Sequence, residues 1–182
     1  MTSRVASNYA RALVDLMKER DSLDFTRETA EVLIQNLDDS EIISFLNHPK
    51  APVGEKKAIL KKLAPPETPQ EFLNCLDLIL ERGRQGVLVK ILENIVEMVL
   101  MEQGYEIVTL ISAQPISEAE QRFISEKLET VWGKKIHLKY RENPNLLSGI
   151  IIQRGDKLYD GSLVGRLNEI KESLSNPEIN II

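Results

Sequence analysis

The stretch "GIIIQRGDKLYDGSLVGRL", Gly149–Leu167, decides what kind of fold the chain ends in. Its β-branched opening, from about Gly149 to Arg154, reads as a strand. Gly155-Asp156 then lies between two apolar runs and suits a two-residue hairpin turn, where positive φ is needed. A short strand follows at Lys157 to Tyr159. Asp160-Gly161-Ser162 ends it, with Ser162 as N-cap of a helix running to Leu174. Gly165 falls one turn into that helix, where glycine costs about 1 kcal/mol relative to alanine. Close packing of the helix on the sheet, or on a partner, is the expected compensation.

A chemical reading of the same residues makes Asp156 and Asp160 a metal or acid/base pair. The chain has only two histidines, His48 and His137, and neither is near in sequence. It carries no Walker pattern, HExxH, GxSxG or phosphate-binding glycine loop. The expectation is therefore no catalytic residue, no metal and no cofactor. The Arg154-Gly155-Asp156 triplet matches an adhesion motif, but a tight hairpin accounts for it.

Upstream, "YEIVTLISA", Tyr105–Ala113, is short and β-branched, a further strand. Ser117 and Glu120 form a capping box and open a helix to about Trp132. "KIHLKYR", Lys135–Arg141, alternates: Ile136, Leu138 and Tyr140 on one face, Lys135, His137, Lys139 and Arg141 on the other. Its basic face, with Lys139 and Arg141, is the candidate surface for an RNA-binding module. Against that, Tyr140 points the wrong way for base stacking beside those charges. His137 is expected to be solvated.

Before Gly104 the period changes to that of helices. Val5, Tyr9, Ala12, Leu13, Leu16 and Met17 follow one helix face. A second helix runs roughly from Leu23 to Leu37, and a third follows an Asp39/Ser40 cap with Ile42, Ile43 and Phe45. After "NHPKAP" a fourth spans Val53 to Leu63. In "APPETPQEF", Thr68 is the expected N-cap, Pro69 the first helical residue and Glu71 the capping-box partner. The fifth helix carries Phe72, Leu73, Leu76, Ile79 and Leu80 and stops at Gly83. In the sixth, Lys90, Glu93, Asn94, Glu97 and Met101 make one narrow stripe in an otherwise apolar helix, which places it in the middle of a bundle.

The expected fold is α+β with two domains. Residues 1–104 form an N-terminal six-helix bundle; residues 105–182 form a small α/β domain with a short mixed sheet and two helices. A single cysteine, Cys75, excludes an intramolecular disulfide and is expected to be buried. The N-terminus "MTSRVASNYARAL" has no secretory apolar core, and the longest apolar segment is interrupted by charge, so no spanning helix is expected. The net charge of −5 argues against a chain that coats nucleic acid. Between Lys134 and Lys171, however, eight Lys/Arg face four Asp/Glu, a local +4.

Three motifs in order carry a family resemblance: "NYARAL" in the first helix, "LERGR" (Leu80 to Arg84) at the end of the fifth, and the Gly149–Leu167 stretch. Together they resemble the delta subunit of F-type ATP synthases, whose mitochondrial relative is the oligomycin-sensitivity-conferring protein. Gly149, Gly155, Asp156, Asp160, Ser162 and Gly165 are the matched structural signature. The resemblance implies a non-catalytic stator component that ties the catalytic head to the peripheral stalk, so that proton-driven rotation is coupled to ATP synthesis. It implies one copy per complex, held peripherally on the cytoplasmic face of a bacterial inner membrane, or the stromal face of a thylakoid, without membrane insertion. The implied partners are the N-terminal helix of the alpha subunit, on the helical half, and the C-terminal region of the b subunit, on the β-containing half. Helix-in-groove binding needs an apolar trough with small residues at its floor. Tyr9, Ala12 and Leu13 are the candidate rim, floor and wall on the first helix, facing Asn74 and Leu78 on the fifth.

Overall fold

The computed structural model describes residues 2–146 and 148–161. The chain divides into two compact units, Met1–Gln103 and Gly104–Ile182. Among the described residues the fold is α+β, with seven α-helices and a four-stranded mixed sheet. The expected Ser162 cap, Gly165, the helix to Leu174 and the tail after it lie outside the described residues.

The first unit contains α1 (Thr2–Glu19), α2 (Leu23–Asn36), α3 (Ser40–Asn47), α4 (Val53–Leu63), α5 (Gln70–Glu81) and α6 (Leu88–Glu102). α6 is the packing centre. It lies against both α1 and α2, and buries Leu88, Ile91, Leu92, Ile95, Val96, Val99 and Leu100. Each such side chain contributes about 1.5–3 kcal/mol when removed from water. The polar stripe foreseen along it is half-buried at Lys90, Glu93, Asn94 and Glu97 and exposed at Met101.

The apolar face of α1 differs from the one expected. Its buried residues are Ala6, Ala10, Leu13, Val14 and Met17, while Val5 and Tyr9 are half-buried and Ala12 and Leu16 exposed. The helix carries two neighbouring apolar stripes, and the one with Ala6 and Ala10 faces inward. Small side chains there let α1 lie close to α6. Only Leu13 and Met17 of the expected face belong to the core.

Helix starts follow local chemistry with one correction. The Asp39 side chain accepts from Glu41 N and caps α3 as expected. Thr68 does not cap α5: the N-cap residue is Pro69, with no side-chain cap bond. The Thr68 hydroxyl instead donates to Pro65 O at 2.7 Å, and Thr68 N bonds the same carbonyl at 3.0 Å. The turn made by Pro65 and Pro66 thus claims the hydroxyl before the helix can. In α3 the buried residue is Leu46, next to the expected Phe45. Lys56, buried in α4, donates from Nζ to His48 O at 2.9 Å, anchoring the proline-rich connection.

The second unit runs β1 (Glu106–Ser112), α7 (Glu118–Trp132), β2 (Ile136–Glu142), β3 (Ile150–Arg154) and β4 (Lys157–Asp160). The sheet order is β2-β1-β3-β4. β1 pairs in parallel with β2 across the α7 crossover and antiparallel with β3, so the sheet is mixed. The expected capping box is present: Ser117 accepts from Glu120 N while the Glu120 side chain bonds back to Ser117 N. Gly133, at φ 65, ends the helix in the left-handed conformation. β1 buries Val108, Leu110 and Ser112. In register with that face stand Leu138 and Tyr140 of β2 and Arg154 and Ile152 of β3. The Tyr140 hydroxyl accepts from Ile116 N at 3.0 Å and lies 3.0 Å from Ser112 Oγ, tying the segment before α7 to the sheet. Across the pleat, His137 and Lys139 are half-buried beside Ile107 and Thr109. His137 is therefore not the solvated residue expected from the alternation.

Candidate functional site

Two charged side chains fix the flanks of α1. Lys18 donates to Glu102 at the end of α6, while Arg20 Nη1 lies 2.7 Å from Glu71 Oε1 in the first turn of α5. Arg20 directly follows the last residue of α1 and is four residues beyond Leu16, at the end of the line Val5, Tyr9, Ala12 and Leu16. At helical spacing that line therefore runs down the flank of α1 turned towards α5. The two helices pack on each other.

α5 is held from both sides. Glu71 reaches α1, and Lys57 of α4 bridges Asp77 at 3.4 Å and Glu81 at 2.6 Å on the opposite flank. Phe72, Leu76, Ile79 and Leu80 point into the core. Asn74 and Leu78 stand on the outward face between the two ion-paired flanks; Leu78 is 43% exposed. Asn74 Oδ1 accepts from Gln70 Nε2 at 3.0 Å, which orients its amide along the helix.

Of the five candidate docking residues, Tyr9 is half-buried, and Ala12, Asn74 and Leu78 are accessible. Leu13 is not accessible: at 3% exposure it belongs to the core. Leu16, 38% exposed, and half-buried Val5 extend the apolar line on α1. The signal for them was the same periodicity, read one stripe too close to the core. The Arg20–Glu71 pair gave no sequence signal, because it joins residues far apart in the chain. Cys75 shares the Glu71 and Leu78 side of α5; it is half-buried, and burial pushes its thiol up to about 11.

The glycine-rich signature works locally. Gly149 has φ 93, and Gly155 has φ 55 at the turn between β3 and β4. Arg154 pairs with Lys157 across that two-residue turn, and positive φ falls on Gly155 and not on Asp156, as in hairpins with glycine first. Asp156 and Asp160 sit at opposite ends of β4, roughly 13 Å apart along a strand. That spacing does not make a carboxylate pair. Arg154 is engaged from both sides. Its Nε and Nη2 donate to Glu106 Oε1 and Oε2 at 2.6 and 2.8 Å, and its guanidinium lies 4.4 Å from the Trp132 ring centre. A fork-to-fork pair under an aromatic lid is a structural clamp. The hydrogen bond from Arg154, with the charges of Arg154 and Lys134 against the effect of burial, holds the Glu106 carboxyl below the ordinary value of 4.5.

Among the described residues, no group of three or more His, Cys, Asp or Glu side chains is placed to hold a metal ion, and no helix is long and apolar enough to cross a membrane.

Comparison with known proteins agrees with a mechanical reading. The family model for the ATP synthase delta (OSCP) subunit matches residues 5–174. The ATP synthase subunit delta of Dehalococcoides mccartyi is 32% identical, with 96% of each chain covered. That of Carboxydothermus hydrogenoformans is also 32% identical, over 93% of this chain and 96% of its own. The protein of the same name from Brevibacillus brevis is 30% identical over 92% and 96%. A chain in the cryo-EM structure of the Toxoplasma gondii mitochondrial ATP synthase hexamer superposes with a TM-score of 0.72 at 22% identity, covering 94% of this chain and 98% of that one. At that identity the likeness is one of fold.

Proposed function

The chain belongs to the ATP synthase delta (OSCP) subunit family, and on that premise we propose how it grips its neighbours. It is a non-catalytic stator component of an F-type ATP synthase. Its N-terminal domain, residues 1–104, acts as a six-helix bundle that captures the amphipathic N-terminal helix of the alpha subunit. Its C-terminal domain, residues 105–182, meets the C-terminal region of the b subunit. One copy serves each complex, peripherally, on the cytoplasmic or stromal side.

The observation that carries this reading is the outward apolar line of α1 beside the accessible Asn74 and Leu78 of α5. Tyr9 supplies a rim and Ala12 a floor low enough for a helix backbone to approach. Leu78 is an anchor on the far side, and Asn74 a polar group that fixes orientation. Leu13 supports the floor from beneath. A tether under torque must dissociate slowly, and nanomolar affinity corresponds to about 12 kcal/mol. A few desolvated anchors supply most of that, and attachment at both ends adds avidity. On the second unit, the local +4 between Lys134 and Lys171 favours an acidic target, setting orientation and on-rate more than affinity.

The test is calorimetric titration of the full chain with a peptide of its own organism's alpha N-terminus. Ala12→Asp and Leu78→Glu are each expected to weaken binding at least 100-fold, because a charge is buried without a partner, while circular dichroism stays native. Unchanged affinity in both variants removes this site.

A further inference from the structure

We propose that the Arg20–Glu71 pair is an end stop that sets the register of the helix docked between α1 and α5; this rests on the docking reading above. Arg20 Nη1 and Glu71 Oε1 are 2.7 Å apart, and the pair stands where both outward lines terminate. On α1 the apolar line runs Val5, Tyr9, Ala12, Leu16, and Arg20 stands four residues on, in the turn just past the helix's last residue, Glu19. On α5, Glu71 precedes Asn74 by three residues and Leu78 by seven, the spacings of one face. The apolar part of the trough is therefore about 16 Å long, three turns of helix at 1.5 Å per residue, and a charged wall closes it.

A trough lined only by Val5, Tyr9, Ala12, Leu16 and Leu78 does not fix register by itself. An amphipathic helix repeats its apolar face every three or four residues and can slide by one turn at little cost. The pair removes that freedom. The Glu71 side chain is 25% exposed and the Arg20 side chain 56%, so an apolar turn pushed over them would strip water from both charges without replacing their hydrogen bonds. The docked segment must end its apolar face there and present a polar group, while the opposite end of the trough carries no such wall from this pair. Register and direction are thereby fixed together, as charged groups fix pairing in other apolar helix interfaces.

The experiment uses the full chain and the alpha N-terminal peptide with a nitroxide at either end, read by paramagnetic broadening of backbone amides. In the wild type the label at one end is expected to broaden amides near Leu16 and Asn74 only, and the label at the other end those near Val5. In the Arg20→Ala/Glu71→Ala double variant each label is expected to broaden both regions, with affinity changed by less than about tenfold because the apolar anchors remain. The charge-swapped variant Arg20→Glu/Glu71→Arg restores the wall and is expected to restore the single pattern. An unchanged pattern in the double variant overturns the end stop while leaving the docking site intact. Failure of the peptide to bind the wild type overturns the docking reading itself.

Discussion

Gly155 shows how little freedom the hairpin has. At φ 55 it occupies a region that a side chain rarely adopts, although nothing lies within 4 Å of where a Cβ would sit. The cost of substitution there is backbone strain, not a clash. Gly155→Val is expected to destabilise the second unit by about 1–3 kcal/mol, read as an earlier urea midpoint. The Glu106–Arg154 clamp sets an acid limit in the same unit. Because Glu106 titrates lower when folded than its ordinary 4.5, its contribution is complete above that value and is lost as pH falls through the lowered one. Glu106→Gln is expected to flatten this part of the stability–pH curve. Trp132, the single tryptophan, stacks on Arg154 and supplies the fluorescence to follow it. What the sequence could disclose here was conformation: glycine before aspartate between apolar runs specifies a turn. That Arg154 would be locked by Glu106, 48 residues away in the chain, was not legible, since no local pattern encodes a pairing across strands.

At the scale of elements, legibility depended on whether one stretch held all the partners. The α7 start was readable because Ser117 and Glu120 satisfy each other across one turn. Ser117→Ala is expected to cost about 1 kcal/mol and to fray the first turn of α7, seen as faster amide exchange at Glu118–Gln121. The α5 start was misread because Thr68 had a second suitor, Pro65 O, and propensity does not rank competing acceptors. The face of α1 was misread for a related reason. Its two apolar stripes adjoin, and the one that mixes Ala6 and Ala10 with Leu13, Val14 and Met17 went inside, against the larger Tyr9 and Leu16 outside. A rule that larger residues lie deeper points the wrong way when alanines line a helix contact. Of the five candidate docking residues, Tyr9, Ala12, Asn74 and Leu78 are at least partly accessible, and Leu13 lies in the core.

For the whole molecule, the proposed division of labour follows the change of period at Gly104. Helices with long complementary faces make a surface suited to holding another helix. The second unit is built differently, on a mixed sheet whose face opposite Val108 and Leu110 combines Ile107, Thr109 and Ile111 with half-buried His137 and Lys139. Among the described residues no group of three or more His, Cys, Asp or Glu side chains is placed to hold a metal ion. A stator link is useful only if both ends hold at once. Ala12→Asp, which acts on one grip alone, is therefore expected to lower ATP-driven proton pumping in reconstituted vesicles while leaving ATP hydrolysis by the head intact. That uncoupling separates a failed tether from a failed motor.

The state of Cys75 has a practical corollary. With burial raising its pKa to about 11, Cys75 carries little thiolate at neutral pH. Maleimide dyes will therefore react far sooner with a cysteine engineered on the surface than with the native one. Fluorophores can be attached at chosen points without first deleting Cys75, so single-molecule distance measurements become feasible on a chain whose helical unit retains its natural packing.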